Sequence, residues 1–368
     1  MPEPSSSATK YLPPLTGIRA LAALLVLGLH ADQNVPADIG AALPFLARGY
    51  LGVDFFFVLS GFIITHVYFA SLAHPTSNAL LIFLWHRFIR LYPVHVTVLA
   101  AMVALIYLAR AAHIPLNNPQ EWRAADIHWQ LTLLHAWGVT ARPGWNVPAW
   151  SISAEWFAYL WFPLLAPALL LVRERLAALL IATAALAATA LAFSLADWSF
   201  NAWVGAPVLA RVSGEFLCGA ALCRAVGLGS RLPGAGGDWL AASSFLLFLL
   251  GASAGWADLG LVALLALTIL GTATAEAFWA QILGSAPLVW LGEISYSIYM
   301  VHFPVLLIMR RVWERLGIVE WPAPAKTAAY AATVGLVIAL AALLFYAVER
   351  PARTRLRDQL GKLAARAG

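Results

Sequence analysis

The chain has 368 residues, 62% of them hydrophobic and 11% charged, and its mean hydropathy is +0.79. Soluble globular chains carry about 25% charged residues, so this composition excludes a water-soluble domain that works alone. The net charge of +5 comes largely from Arg clusters between apolar stretches; it reports topology and gives no footprint for nucleic acid. Sixteen Trp and ten Tyr suit two lipid–water interfaces, where amphipathic rings collect.

Residues 1–14 (MPEPSSSATKYLPP) are polar and carry no apolar run of signal-peptide type, so the first helix is expected to stay in the mature protein. Apolar segments of bilayer length follow at 15–32, 50–70, 93–111, 150–172, 176–195, 204–225, 238–255, 259–278, 284–309 and 326–348. The expected fold is therefore all-α and polytopic, with about ten transmembrane helices. A shorter apolar piece, 127–137, contains His128 and His135 and reads as a re-entrant or interfacial segment of a long loop, about 112–149. Lys and Arg counts favour both termini on the cytoplasmic side. Arg87, Arg90, Arg173, Arg175, Arg224 and Arg231 then face the cytoplasm, with Arg350, Arg353, Arg355, Arg357, Lys362 and Arg366 in the tail; Arg310, Arg311, Arg315 and Lys326 fall on the opposite side. The domain reading is a cytoplasmic tail 1–14, a membrane domain 15–350 and a basic cytoplasmic tail 351–368. Cys218 and Cys223 share one apolar stretch and read as buried thiols, with neither a disulfide framework nor a metal-ligand spacing. No inverted repeat of the transporter kind is evident.

Ionisable side chains at membrane depth are costly unless paired or facing an internal cavity. In the first span Arg19 and His30 are eleven residues apart, about 16 Å of rise and close to three turns, so both project from one face. An Arg at the cytoplasmic end and a His deeper in describe an anion-binding mouth with a base beyond it; a snorkelling Arg and a hydrogen-bonded core His are the plainer alternative. Asp54 opens the second span at a depth like that of His30, where a carboxylate can orient an imidazole or cap a helix. Arg87 and Arg90 lie in the following cytoplasmic loop ahead of Pro93, spaced to share a helical face and suited to phosphate. Glu155, with Ser151 and Ser153 nearby, enters from the outer side, again near the depth of His30. Tyr296, Tyr299 and His302 climb one stripe of the ninth span. The layout is one for a phosphate-bearing donor entering from the cytosol and reaching a base near the outer face.

The stretches LTGIRALAALLVLGLH, GYLGVDFFFVLSGFIITH, RFIRLYP, WSISAEWFAYLWFP, LGEISYSIYMVH and VERPAR resemble the acyltransferase-3 family of membrane-bound O-acyltransferases, over residues 12 to 353. The resemblance implies ten helices in a cell inner membrane and transfer of an acyl group, usually acetyl from acetyl-CoA, to a sugar hydroxyl. By that likeness Arg19 and His30 match an Arg-x10-His pair with His30 catalytic, Arg87 and Arg90 match a donor-side Arg-x-x-Arg motif, and Glu155 matches the Glu of a Trp-Ser-x-x-x-Glu motif. Thr16 and Trp156 depart from acidic residues common at those positions. The chain ends soon after its last span, so an SGNH-hydrolase-type domain is not expected.

The function so implied is O-acylation of an exported or cell-surface glycan by acyl-CoA. His30, Asp54 and Glu155 are expected to be catalytic, Arg19, Arg87 and Arg90 to hold acetyl-CoA, and Ser151, Tyr296, Tyr299 and His302 to contact the acceptor. His30 serves as general base or as transient acyl carrier, with Asp54 or Glu155 orienting it. No metal and no nucleic acid are expected. Acylation of a glycosylated secondary metabolite such as a macrolide sugar, and a transporter or flippase, are the alternatives.

Overall fold

The computed structural model describes residues 12–116, 118–229 and 234–357. Arg231, Lys362 and Arg366 lie outside the described residues, as do positions 1–11 and 358–368 of the two expected tails. Among the described residues every regular element is helical, and nine helices are long and apolar enough to cross a membrane. The chain is a multi-pass membrane protein. The principal helices are α1 (Pro13–Asn34), α2 (Gly52–Leu72), α3 (Ser77–Ala111), α4 (Ala149–Leu170) and α5 (Arg175–Leu195). They continue with α6 (Ala206–Leu228), α7 (Gly236–Ser253), α8 (Asp258–Thr274), α9 (Ala286–Arg315) and α10 (Ala323–Leu344). α8 is the shorter tenth apolar helix, at 17 residues.

Two boundaries differ from expectation in ways that matter for the site. α3 begins at Ser77, so Arg87 and Arg90 stand inside a 35-residue helix rather than in a loop. Thr76 starts it by accepting from the Ala79 N–H, and Pro93 is carried within the helix. After α10 the chain makes a π-turn over Phe345–Glu349 and stays helical to residue 357. π-turns widen a helix by one residue and recur at functional positions.

Between helices in lipid no hydrophobic force acts, so packing rests on close backbone approach. α1 lies against α9, and α2 against α6. On α2, Gly61 meets the Phe216 carbonyl; on α6, Gly219 meets the Val58 carbonyl, and a Cβ on either glycine would collide with that backbone. Phe83, Phe162 and Phe216 fill the space where α3, α4 and α6 converge, with ring centres 5.6 and 5.7 Å apart. Leu176, Leu180, Leu191 and Leu195 of α5 point outward, as a lipid-facing stripe does.

The loop between α3 and α4 is packed, and the 127–137 piece does not span. It forms one short helix, Ile127–Leu131, then breaks at Leu133, whose φ is 58°. Ser153 ties it down, donating to the Leu133 carbonyl at 2.7 Å and accepting from the Ala136 N–H at 3.1 Å. Trp145 is fully buried and donates to the Arg123 carbonyl at 3.0 Å. His135 is buried in this loop, its ring stacked 6.2 Å from that of His95. Burial first, then the neighbouring His95, push the His135 imidazole from an ordinary 6.5 down to about 3.

Two measurements check these points. Gly219→Val is expected to cost about 1–3 kcal/mol or more by overpacking and to lower the thermal midpoint in detergent. The unfolded chain binds a proton at His135 that the folded protein refuses, so stability is full above pH 6.5 and falls as the pH drops towards about 3. A His135→Gln variant should show a flatter decline of thermal midpoint on acidification than the parent chain.

Candidate active site

Three adjoining spaces run the length of the bundle, and the basic residues of the sequence divide among them. The first is a vestibule of about 870 Å³ at the end where α3 starts and the chain leaves α10. Arg19, Arg87, Arg90, Arg350, Arg353 and Arg357 line it, with Glu293 as its acidic member. Arg19, Arg87 and Arg90 also line the second space, an inner chamber of about 150 Å³. Glu155, Ser60, Ser151, Tyr159, Ser295, Tyr296 and Tyr299 complete the polar part of its wall. Tyr299 is shared in turn with the third space, a chamber of about 600 Å³ towards the other end, which contains His30 and His302. Because α1 is free of interior proline, Arg19 and His30 sit at two stations of one straight face about 16 Å apart.

The arginines differ in what holds them. Arg90 is ion-paired with Glu349, a buried carboxylate that also accepts from Ser297 Oγ at 2.8 Å and faces Arg353 at 3.5 Å. Its guanidinium stands 5.0 Å over the Tyr296 ring, and Tyr296 donates to the Leu91 carbonyl at 2.6 Å. Among the described residues Arg87 has no carboxylate against it: it donates to Tyr68 Oη at 3.1 Å, lies 5.1 and 5.7 Å from the Tyr68 and Tyr159 rings, and keeps its buried Nε without a partner. Arg19 has no side-chain hydrogen bond or ion pair among the described residues. Arg19 and Arg87 are therefore the inner-chamber cations with charge to spare for an anionic ligand, while Arg90 is a tie between α3 and the π-turn.

Glu155 departs from its expected depth. It accepts from Ser60 Oγ at 2.5 Å and from the Tyr159 hydroxyl, and Ser60 lies six residues, about 9 Å, along α2 from Asp54. The reason is the buried loop above α4: Trp145 and Asn146 are both fully covered, so the helix starts well below the surface and Glu155 falls in the inner chamber with the arginines.

Asp54 is also engaged elsewhere. Both of its oxygens receive Arg211 of α6, at 2.5 and 2.6 Å. Arg211 donates further to the Phe200 carbonyl at 2.8 Å, lies 4.2 Å over the Phe200 ring, and has Glu215 at 3.8 Å. Neither Asp54 nor Glu155 touches His30, so the expected carboxylate–imidazole contact is replaced. His30 is oriented by its own helix, Nδ1 donating to the Val26 carbonyl at 2.8 Å, and the group packed against its ring is His302, with centres 5.0 Å apart. Ser151 donates to Tyr299 Oη at 2.8 Å, and Tyr299 donates to the Pro148 carbonyl at 2.9 Å, which closes the wall between the two chambers. Arg211, Glu215 and Glu349 were not singled out from the sequence. Arg211 and Glu215, four apart in an otherwise apolar span, carried the signal that would have found them.

A family model described as an acyltransferase domain, of the type numbered 3, matches residues 14–347. The chain belongs to the acyltransferase-3 family. Among curated proteins it is similar to protein 2 in the picA locus of Rhizobium radiobacter, 43% identical over 90 residues, 24% of this chain and 43% of that one. It is also similar to the peptidoglycan O-acetyltransferase OatA of Listeria monocytogenes serovar 1/2a, 32% identical over 99 residues, 27% of this chain and 14% of that one. Acyltransferase MdmB of Streptomyces mycarofaciens is 38% identical over 103 residues, 27% of this chain and 25% of that one. The matching segments thus span less than half the length of each relative. No solved structure matches the chain significantly. In this acyltransferase-3 chain, the sequence motifs that carried the resemblance line these three adjoining spaces. No group of three or more His, Cys, Asp or Glu that could hold a metal ion occurs among the described residues.

The assignment of Asp54 to Arg211 is checked by Arg211→Met. That change strands Asp54 and Glu215 as buried carboxylates without their cation, at a cost of about 3–5 kcal/mol. Folded protein recovered in detergent and its thermal midpoint should both drop sharply.

Proposed function

We propose that the chain is a membrane-bound O-acyltransferase that moves an acyl group, acetyl foremost, from acyl-CoA to a sugar hydroxyl of an exported or cell-surface glycan. The observation that carries this reading is the pair of chambers sharing Tyr299, one bounded by Arg19 and Arg87 and the other by His30 and His302. A polyphosphate donor fits the six-arginine vestibule. The narrow inner chamber, walled by Phe56, Phe57, Ile63 and Ile152, suits an extended thioester arm. The wider His30 chamber offers aromatic and amide groups, among them Trp203, Trp150, Asn34 and Asn201, of the kind that receive a carbohydrate.

In this reading the vestibule faces the cytoplasm of a cell with this protein in its inner membrane. The gathering of Arg350, Arg353 and Arg357 with Arg87 and Arg90 at that end supports the orientation. The proposed domain, 15–350, then extends functionally into the helical continuation to 357, because Arg353 and Arg357 line the donor's entrance. Glu155, held by Ser60 and Tyr159, balances Arg19 and Arg87 beside the thioester.

The chemistry needs one base at the junction. A backbone carbonyl only accepts, so the His30 nitrogen facing Val26 carries the proton and Nε2 presents a lone pair. Nε2 takes the proton of the acceptor hydroxyl as its oxygen attacks the thioester carbonyl. The C–S bond then breaks, and the CoA thiolate leaves with the proton that His30 held. An acyl-histidine route uses the same nitrogen as nucleophile. Either route requires displacement of Tyr299 from the shared wall when the thioester carbonyl reaches His30.

The test is acceptor-dependent release of CoA thiol by purified protein in detergent, given acetyl-CoA and a panel of sugars. His30→Ala should lose about 10²–10⁴-fold in rate, and Arg87→Ala should raise the KM for acetyl-CoA about tenfold or more. A His30→Ala protein as fast as the parent would overturn the reading.

A further inference from the structure

His302 is a buried imidazole, 1% exposed, whose Nε2 has no hydrogen-bond partner. Its other nitrogen, Nδ1, lies 2.6 Å from the Tyr299 carbonyl and must therefore be the one bearing hydrogen. His30 is arranged in the same way, one nitrogen committed to a carbonyl of its own helix. The two rings, from α1 and α9, have centres 5.0 Å apart and planes inclined at 52°. Both line the same chamber. The chamber thus holds two imidazoles that each offer a lone pair and no proton, and neither is supplied with a donor by the protein.

A buried acceptor left unmatched costs more than the bond it could form returns. Of the buried imidazoles with an unmatched nitrogen, His95, His135 and His302, His302 is the one that lines this chamber, where a ligand can bring the missing donor. One imidazole suffices to deprotonate the attacking hydroxyl, so the second needs a different hydrogen. Rings whose centres are 5.0 Å apart bring both acceptor nitrogens within reach of one small ligand through hydrogen bonds of about 2.8 Å, a spacing that hydroxyls on neighbouring carbons can meet.

We propose that His302 contacts the acceptor directly, accepting a hydrogen bond from the hydroxyl next to the one that is acylated, so that the substrates of this protein are vicinal diols. The inference rests on the acyl-transfer reading above and adds to it the arrangement of the acceptor. His302 then decides which hydroxyl of a ring is presented to His30, because only a hydroxyl with a free neighbour engages both nitrogens.

The experiment uses the full chain in detergent with acetyl-CoA. Its acceptors are methyl hexopyranosides and their monodeoxy analogues, with acceptor-dependent thiol release and product position as readouts. With the parent protein, removing the hydroxyl beside the acylated one should lower kcat/KM about 10–100-fold, the range expected for a buried nitrogen left unpaired. His302→Ala should lower kcat/KM for the diol and erase the difference between diol and deoxy acceptors. His302→Gln, whose Oε1 still accepts, should restore part of the difference. Equal rates on diol and deoxy acceptors with the parent protein overturn the proposal without any variant. Discrimination that survives in a folded His302→Ala protein overturns it as well, and either result leaves the acyl-transfer reading standing. Failure of the parent protein to acylate any sugar overturns both.

Discussion

A guanidinium placed at bilayer depth must either be matched by a carboxylate or face a polar cavity, and this protein uses the two solutions for different purposes. Arg211 is matched by Asp54 and fixes α6 to α2; Arg90 is matched by Glu349 and fixes α3 to the π-turn after α10. These pairs hold the frame. Arg19 and Arg87 are not matched in this way, and they stand where the vestibule narrows into the inner chamber. The free positive charge of the membrane interior is thereby concentrated at one station, and the rest of the site is built outward from it. The π-turn belongs to the same logic, since it sets Glu349 against Arg90 while Arg350, Arg353 and Arg357 continue round the vestibule.

The division between frame and site explains why residues of one type differ so much in surroundings. Asp54 and Glu155 both lie within the first two turns of their helices, yet one is a bidentate partner in a structural pair and the other accepts hydroxyl hydrogens in the wall of the inner chamber. His95 of α3 stacks on His135 of the packed loop, whereas His30 and His302 line an open space. In both imidazole pairs a backbone carbonyl takes one nitrogen. What separates them is whether the rings line a chamber.

Much of this could be read from the chain itself. The run of apolar segments gave the number and order of the helices, and the eleven-residue offset of His30 from Arg19 placed them on one face because helical geometry is local. Arg87 and Arg90 were readable as a pair, but their position inside a continuous helix was not. The apolar stretch from 93 onwards marked where lipid begins and gave no sign that α3 starts about four turns earlier, at Ser77. The depth of Glu155 depended on a buried loop whose aromatic anchors, Trp145 above all, have no periodicity to betray them. Partners were the hardest to read: Asp54 and Arg211 are 157 positions apart, and no local pattern states that two such residues meet. The Arg90 to Glu349 tie, 259 positions long, is of the same kind.

The wall at Tyr299 has a meaning for the cell as well as for catalysis. The vestibule opens at one end of the bundle and the His30 chamber lies towards the other, so the span of protein that separates two water-reachable recesses is only about as thick as that hydroxyl and its bonds to Ser151 and Pro148. A bilayer that stores energy as an ion gradient tolerates no standing leak. A wall this thin sets a condition on the proposed transfer: any opening at Tyr299 that lets the two chambers meet has to be filled by the substrates themselves.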